Sequence, residues 1–168
     1  MNKQKNTTMK KIILMITGAL LVASCSCNQK ADTANTALIE KYVQSVENMD
    51  FDAMDTILDD DYMGYGPSIN DSINKEQTVS NWKFNVENLY GSIKYNKSRN
   101  APILIEDGEN QGDWVANWAE LEITYKASGE SVTIWANTNY LIKNGKIVKS
   151  YSFYNEADVL EQLGFSYY

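Results

Sequence analysis

Two short glycine-containing segments, Ser128-Gly129 and Asn144-Gly145, each separate runs of alternating apolar and polar residues. They constrain the second half of this chain more than any other feature. A small residue followed by glycine supplies the positive φ angles of a tight hairpin. The segments WVANWAELEITYK, SVTIWANTNYLIK and KIVKSYSFY are therefore predicted to form an antiparallel meander, preceded by two further β segments, SIKYNKS and PILIE. Each turn also sets a register. Pairing Ala127 with Glu130 places Leu121 opposite Ala136, Ile123 opposite Ile134 and Asn117 opposite Tyr140. Pairing Lys143 with Lys146 places Ile142 opposite Ile147, Thr138 opposite Tyr151 and Ala136 opposite Phe153. Side chains alternate between the two faces of a strand. One face is thus expected to collect Val115, Ala119, Leu121, Ile123, Val132 and Ile134, together with Ala136, Ile142, Ile147 and Phe153. The other collects Trp118, Glu120, Glu122, Trp135, Asn137, Asn139, Ser150, Ser152 and Tyr154.

The first half of the chain reads as helical. Leu38, Ile39, Tyr42, Val43, Val46 and Met49 recur at helical spacing after the capping candidates Asn35 and Thr36. Asp50 is placed to cap a short second helix carrying Phe51, Met54, Ile57 and Leu58. The stretch DDDYMGYGPSIND then breaks helicity at Gly64, Gly66 and Pro67. Asn74 followed by Gln77 has the form of a capping box, opening a third helix with Val79, Trp82, Val86 and Leu89 on its buried face. The expected class is α+β: N-terminal helices packed on a curved, mostly antiparallel sheet, in one domain.

The N-terminus points to export. Lys10-Lys11, the apolar run from Ile12 to Val22 and the small residues Ala23-Ser24 have the make-up of a secretory signal peptide over residues 1–24. The run is shorter than the roughly 20 apolar residues of a membrane-spanning helix. Val22-Ala23-Ser24-Cys25 resembles a bacterial lipobox, with Cys25 the acylated first residue of the mature chain. Residues 25–36 then read as a small, polar tether to a domain over 37–168. Lipidation of Cys25 leaves Cys27 without an intramolecular partner for a disulfide. The lysines at 3, 5, 10 and 11 depart with the signal, leaving 11 basic against 22 acidic residues, a net charge of −11. Such a chain repels phosphate backbones and anionic headgroups alike, so nucleic acid is excluded as a partner and the lipid is the expected membrane attachment. The expected location is the bacterial cell envelope, anchored to a membrane.

Asn117, Thr138, Tyr140, Tyr151 and, at the strand end, Asn155 stand among the apolar positions of the core-side face. A few polar groups in an apolar concavity are the usual makings of a small-molecule site. Tyr62, Tyr65 and Trp82 are expected to join them, since their rings can stack on a flat, largely apolar ligand. No metal site is expected: the chain has no histidine, and its two cysteines lie near the N-terminus. No phosphate loop, nucleophile elbow or dinucleotide fingerprint implies a cofactor. On the opposite face, Trp118 and Trp135 among neutral polar residues predict a sheet-to-sheet homodimer.

The order of elements, and the closing segment with Gly145-Lys146-Ile147-Val148, Tyr151 and Gln162-Leu163-Gly164, resembles the SnoaL-like branch of the nuclear transport factor 2-like superfamily over roughly residues 37 to 165. The resemblance implies a cone-shaped α+β domain with a pocket between sheet and helices, often dimeric, serving cyclases, isomerases, dehydratases or non-catalytic binding modules. Catalytic members commonly use an aspartate after the last long strand, often with a histidine; the matching position is Asn155. An amide does not exchange protons near neutral pH, so the family's acid/base pair is missing there, and Asn155 also suits the N-cap of a closing helix. The leading expectation is binding without catalysis. The alternatives are a tyrosine/aspartate proton transfer using Asp60 or Asp61 as base, and a dimerising structural module of an envelope assembly.

Overall fold

The computed structural model describes residues 31–165. The expected signal peptide, Cys25 and Cys27 lie outside the described residues. Residues from Asn35 onward form one compact unit. Helix α1 occupies 31–47, so residues 31–36, expected within the tether, are already helical, and Asn35 and Thr36 lie inside the helix instead of capping it. Met49, expected on its buried stripe, instead takes a positive φ of 57° in the turn that follows. Asp50 accepts from the Ala53 amide and opens α2 (Phe51–Ile57). The chain continues through β1 (Leu58–Tyr65), β2 (Ser72–Asn74) and α3 (Lys75–Asn88). The Asn74/Gln77 capping box closes in both directions at 2.9 Å. Then follow β3 (Tyr90–Ile105), β4 (Gly112–Tyr125), β5 (Ser131–Lys143), β6 (Lys146–Tyr154) and α4 (Glu156–Gln162).

The strands make one sheet in the order β2-β1-β6-β5-β4-β3. All neighbours are antiparallel except β1 and β6, which run parallel. Two expectations are corrected here. Leu58–Tyr65 is a strand, not a helix break, because Leu58, Tyr62 and Gly64 turn into the core while Asp60 and Asp61 stay in water. A register shift between Leu58 and Met63 interrupts its period-2 pattern, which hides the strand in the sequence. The segments SIKYNKS and PILIE are a single strand, β3, bent where Lys97 adopts φ 51° and its pairing with β4 shifts.

The first hairpin is wider than two residues: Tyr125 donates to the Glu130 carbonyl, and Gly129 sits at φ 73° in the loop. Leu121 consequently faces Ile134, and Asn117 faces Thr138. That offset of two residues leaves every side chain on its expected face, because the period of a strand is two. The second hairpin begins as expected, with Lys143 opposite Lys146 and Ile142 opposite Ile147, but the register then slips by one at Leu141. Thr138 meets Ser152, not Tyr151, and Ala136 meets Tyr154, not Phe153. From that point β6 is inverted: Ser150 and Ser152 turn toward the helices, and Tyr151 and Phe153 turn away. An aromatic stack explains the inversion. On the outer face the Tyr151 ring lies 5.2 Å from Tyr65 and 5.9 Å from Trp114, nearly parallel to both. The core lies between the sheet and the helices, with Ile39, Met54, Leu58, Val115 and Ile147 fully enclosed.

Candidate functional site

The helices do not fill the concave face of the sheet completely. A cavity of about 340 Å³ remains between that face and the helices. Four tyrosines from four different elements enclose its deep part: Tyr42 on α1, Tyr62 on β1, Tyr95 on β3 and Tyr140 on β5. Tyr42 meets Tyr140 edge to face at 5.6 Å. The Tyr62 hydroxyl and Ser150 Oγ share a hydrogen bond of 2.7 Å. Gly64 lies beneath them because a Cβ there would come within 2.7 Å of the Tyr62 hydroxyl. Tyr95 is held through its backbone amide, which donates to the Glu47 carboxylate at 2.7 Å.

Asn117 is buried in the same wall. Its Nδ2 donates to Ser98 Oγ at 2.8 Å and Asn100 Oδ1 at 2.9 Å, which fixes the amide orientation. Its Oδ1 has no hydrogen-bond partner among the described residues and is left to the cavity as an acceptor. In register beside it, the Thr138 and Ser152 hydroxyls pair at 3.2 Å. The deep part thus offers phenol donors on one side and a row of amide and hydroxyl groups on the other, with Leu121, Ile123 and Ile134 supplying apolar wall.

Burial sets the protonation of these phenols. It pushes Tyr42 and Tyr140 well above the ordinary tyrosine range, reinforced by the neighbouring tyrosines and offset in small part by the Trp82 and Thr138 side chains. Tyr62 is raised by burial against its Ser150 hydrogen bond, and Tyr95 by burial and then by Glu47. All four remain neutral donors at physiological pH. Unfolded phenols titrate near pH 10. With folded values above that, the stability these groups confer is complete below about pH 10 and is lost as pH rises through the folded values. Denaturant midpoints should therefore fall steeply above pH 10, with part of the phenolate absorbance appearing only as the circular-dichroism signal collapses. Complete tyrosine ionisation on a still-folded chain would contradict this placement.

Of the residues expected at the site, Tyr62, Trp82, Asn117, Thr138 and Tyr140 border the cavity; Tyr65 also touches its edge, but its ring stacks on Tyr151 on the outer face. Tyr151 and Asn155 do not border it. Tyr151 belongs to the outer-face stack, and the Asn155 side chain caps α4 by accepting from the Asp158 amide. The aspartates also stand apart: Asp60 is 97% exposed and bonds the Lys75 ammonium at 2.9 Å, which holds its carboxyl below the usual range, while Asp61 is exposed. A base with a raised pKa is thus not found at Asp60. Sequence reasoning missed Tyr42 and Tyr95, which read as ordinary core positions. It also missed Ser150, Ser152 and Tyr154, whose facing depends on the slip in β6. Among the described residues, no group of three or more histidine, cysteine or acidic side chains is placed to hold a metal ion.

A concave mixed sheet closed by helices is an α+β, nuclear transport factor 2-like fold, and solved structures share it. A protein from Pseudomonas putida KT2440 assigned as a polyketide cyclase superposes with a TM-score of 0.63 at 18% identity, covering 76% of this chain and 96% of its own. A protein from Shewanella denitrificans OS-217 assigned as a SnoaL-like polyketide cyclase gives 0.61 at 13%, covering 77% and 96%. An epoxide hydrolase of the LEH-like type from Mycobacterium tuberculosis gives 0.57 at 17%, covering 79% and 91%. No protein-family profile and no curated protein matches the sequence.

Proposed function

We propose that this domain is the pocket module of an exported, lipid-anchored envelope protein, and that it holds a small, largely apolar molecule without converting it. One observation carries the binding reading: a preformed cavity of about 340 Å³ whose deep polar groups are all neutral at physiological pH, with Asn117 Oδ1 an open acceptor. Proton-transfer catalysis needs a group that titrates near the working pH. The deep wall contributes only phenols held far above it, which weighs against the alternative of an isomerase, cyclase or dehydratase working by tyrosine/aspartate proton transfer. An open cavity equally weighs against a purely structural module filled by its own side chains.

The test is a thermal-shift and native mass-spectrometry screen of the purified chain with neutral apolar probes such as decanol and naphthol. A ligand at a hundred times its Kd stabilises a fold by about 2.7 kcal/mol, which raises the melting midpoint measurably. No shift and no mass adduct with any probe would remove the reading. The anchor rests on the lipobox alone, and Cys25→Ala is expected to release the protein into the soluble fraction; unchanged membrane fractionation and processing would refute it. The outer sheet face, with Trp118 41%, Phe153 56% and Trp135 68% exposed, is assigned to pairing with a second copy. Trp135→Lys should then halve the mass seen in sedimentation, whereas a wild-type monomer would dismiss the dimer.

A further inference from the structure

The cavity has a second chemical zone at its open end. Tyr90, Tyr125, Tyr154 and Glu156 border the same space as the deep tyrosines but are far less buried, with Tyr154 40% and Glu156 fully in the exposed range. The Tyr90 and Tyr125 rings meet edge to face at 5.5 Å. Tyr154 joins them from the end of β6, two residues before Glu156 opens α4. The Glu156 carboxylate takes part in none of the ion pairs or side-chain hydrogen bonds among the described residues. The ammonium of Lys126, which follows Tyr125, is committed to the Glu87 carbonyl at 3.1 Å. Glu156 is also close enough to act on all three rings: after burial, its charge contributes to raising Tyr125 and Tyr154, and it adds, after burial and the neighbouring Tyr125 and Tyr154, to raising Tyr90 to about 12. Asp71 adds to the negative field at Tyr154.

Three phenol rings beside an unpaired carboxylate form an arrangement that attracts a cation. The ring faces carry the negative side of the aromatic quadrupole, and a desolvated ammonium over them gains more than it does in water. An anion meets the reverse: among the described residues no lysine or arginine borders the cavity, Glu156 stands at its entrance, and the mature chain has a net charge of −11. Deeper in, the wall is neutral and apolar. We infer that the ligand is an amphiphilic amine: an apolar body seated among Tyr42, Tyr62, Tyr95 and Tyr140, and a quaternary or protonated ammonium group held at the mouth by Tyr90, Tyr125, Tyr154 and Glu156. This rests on the binding reading above and adds the charge and polarity of the occupant.

The test compares three probes with the same tail, decyltrimethylammonium, decanol and decanoate, by calorimetry on the purified chain below their micelle concentrations. The ammonium should bind tightest and the carboxylate weakest. Glu156→Gln should lower the ammonium-to-alcohol affinity ratio about threefold to tenfold, and Tyr154→Leu should lower it by a similar factor, in line with the energies of exposed and partly desolvated cation–π contacts. Both substitutions fall on exposed positions where the fold should tolerate them. An unchanged ratio in both variants, or decanoate binding as tightly as the ammonium, overturns the amine proposal while leaving the cavity reading intact. Failure of all three probes to bind overturns both.

Discussion

Gly66→Ala is expected to be the most damaging small substitution in this domain, costing about 3 kcal/mol or more where Gly129→Ala costs about 1 kcal/mol. Both glycines have positive φ, 100° and 73° respectively, so an alanine at either is strained. They differ in what a Cβ would meet. At Gly129 nothing lies within 4 Å, whereas at Gly66 the Cβ would collide with the carbonyl oxygen of Ser152. That contact is to backbone, in a strand held on both sides by its neighbours, so it cannot be relieved by turning a side chain. The gap between the two variants therefore isolates the close approach of the β1 end to β6. Urea denaturation of both, at fixed m-value, measures it. Equal losses would mean that Gly66 is not pressed against Ser152, and the placement of Ser152 at the cavity edge would lose its support.

That pair also shows what could and could not be read from the sequence. The apolar alternation of β4 and β5 specified their faces so strongly that a wrong loop length did no harm, since the resulting offset was even. In β6 the alternation is ambiguous: Tyr151 and Phe153 are apolar enough to have been the inward set, and Ser150 and Ser152 look like a solvated face. What decides between the registers is not local. It is the stacking of Tyr151 between Tyr65 and Trp114 and the bond from Tyr62 to Ser150, both made with distant parts of the chain. The strand β1 was hidden for a related reason: its Asp59-Asp60-Asp61 run has no strand propensity and falls in the register shift, while the pairing with β2 and β6 that makes the strand is carried by Leu58 and by Met63, Gly64 and Tyr65 on either side of it. The capping residues Asp50, Asn74 and Asn155 were legible because a cap is a contact within four residues. Asn117, Thr138 and Tyr140 were legible because parity alone places them; Tyr42 and Tyr95 were not, because a buried tyrosine looks the same in sequence whether it packs a core or walls a cavity.

Filling the cavity should separate binding from folding. Ala136 borders it from the middle of β5, with Ala119 and Tyr154 as its neighbours across the strands. Ala136→Phe directs a ring into space that no side chain occupies, so the overpacking cost of about 1–3 kcal/mol typical of a filled core should be largely avoided. The ring adds apolar burial of its own, which offsets part of any residual strain. Apolar probes, however, lose the volume they need, and their affinity should fall by about a hundredfold, the equivalent of about 2.7 kcal/mol. The expected result is a variant that melts close to wild type yet no longer shifts with decanol or decyltrimethylammonium. Should the probes still stabilise Ala136→Phe as they do the parent, they bind elsewhere on the surface, and the tyrosine-walled space beneath the helices is not where this protein holds its ligand.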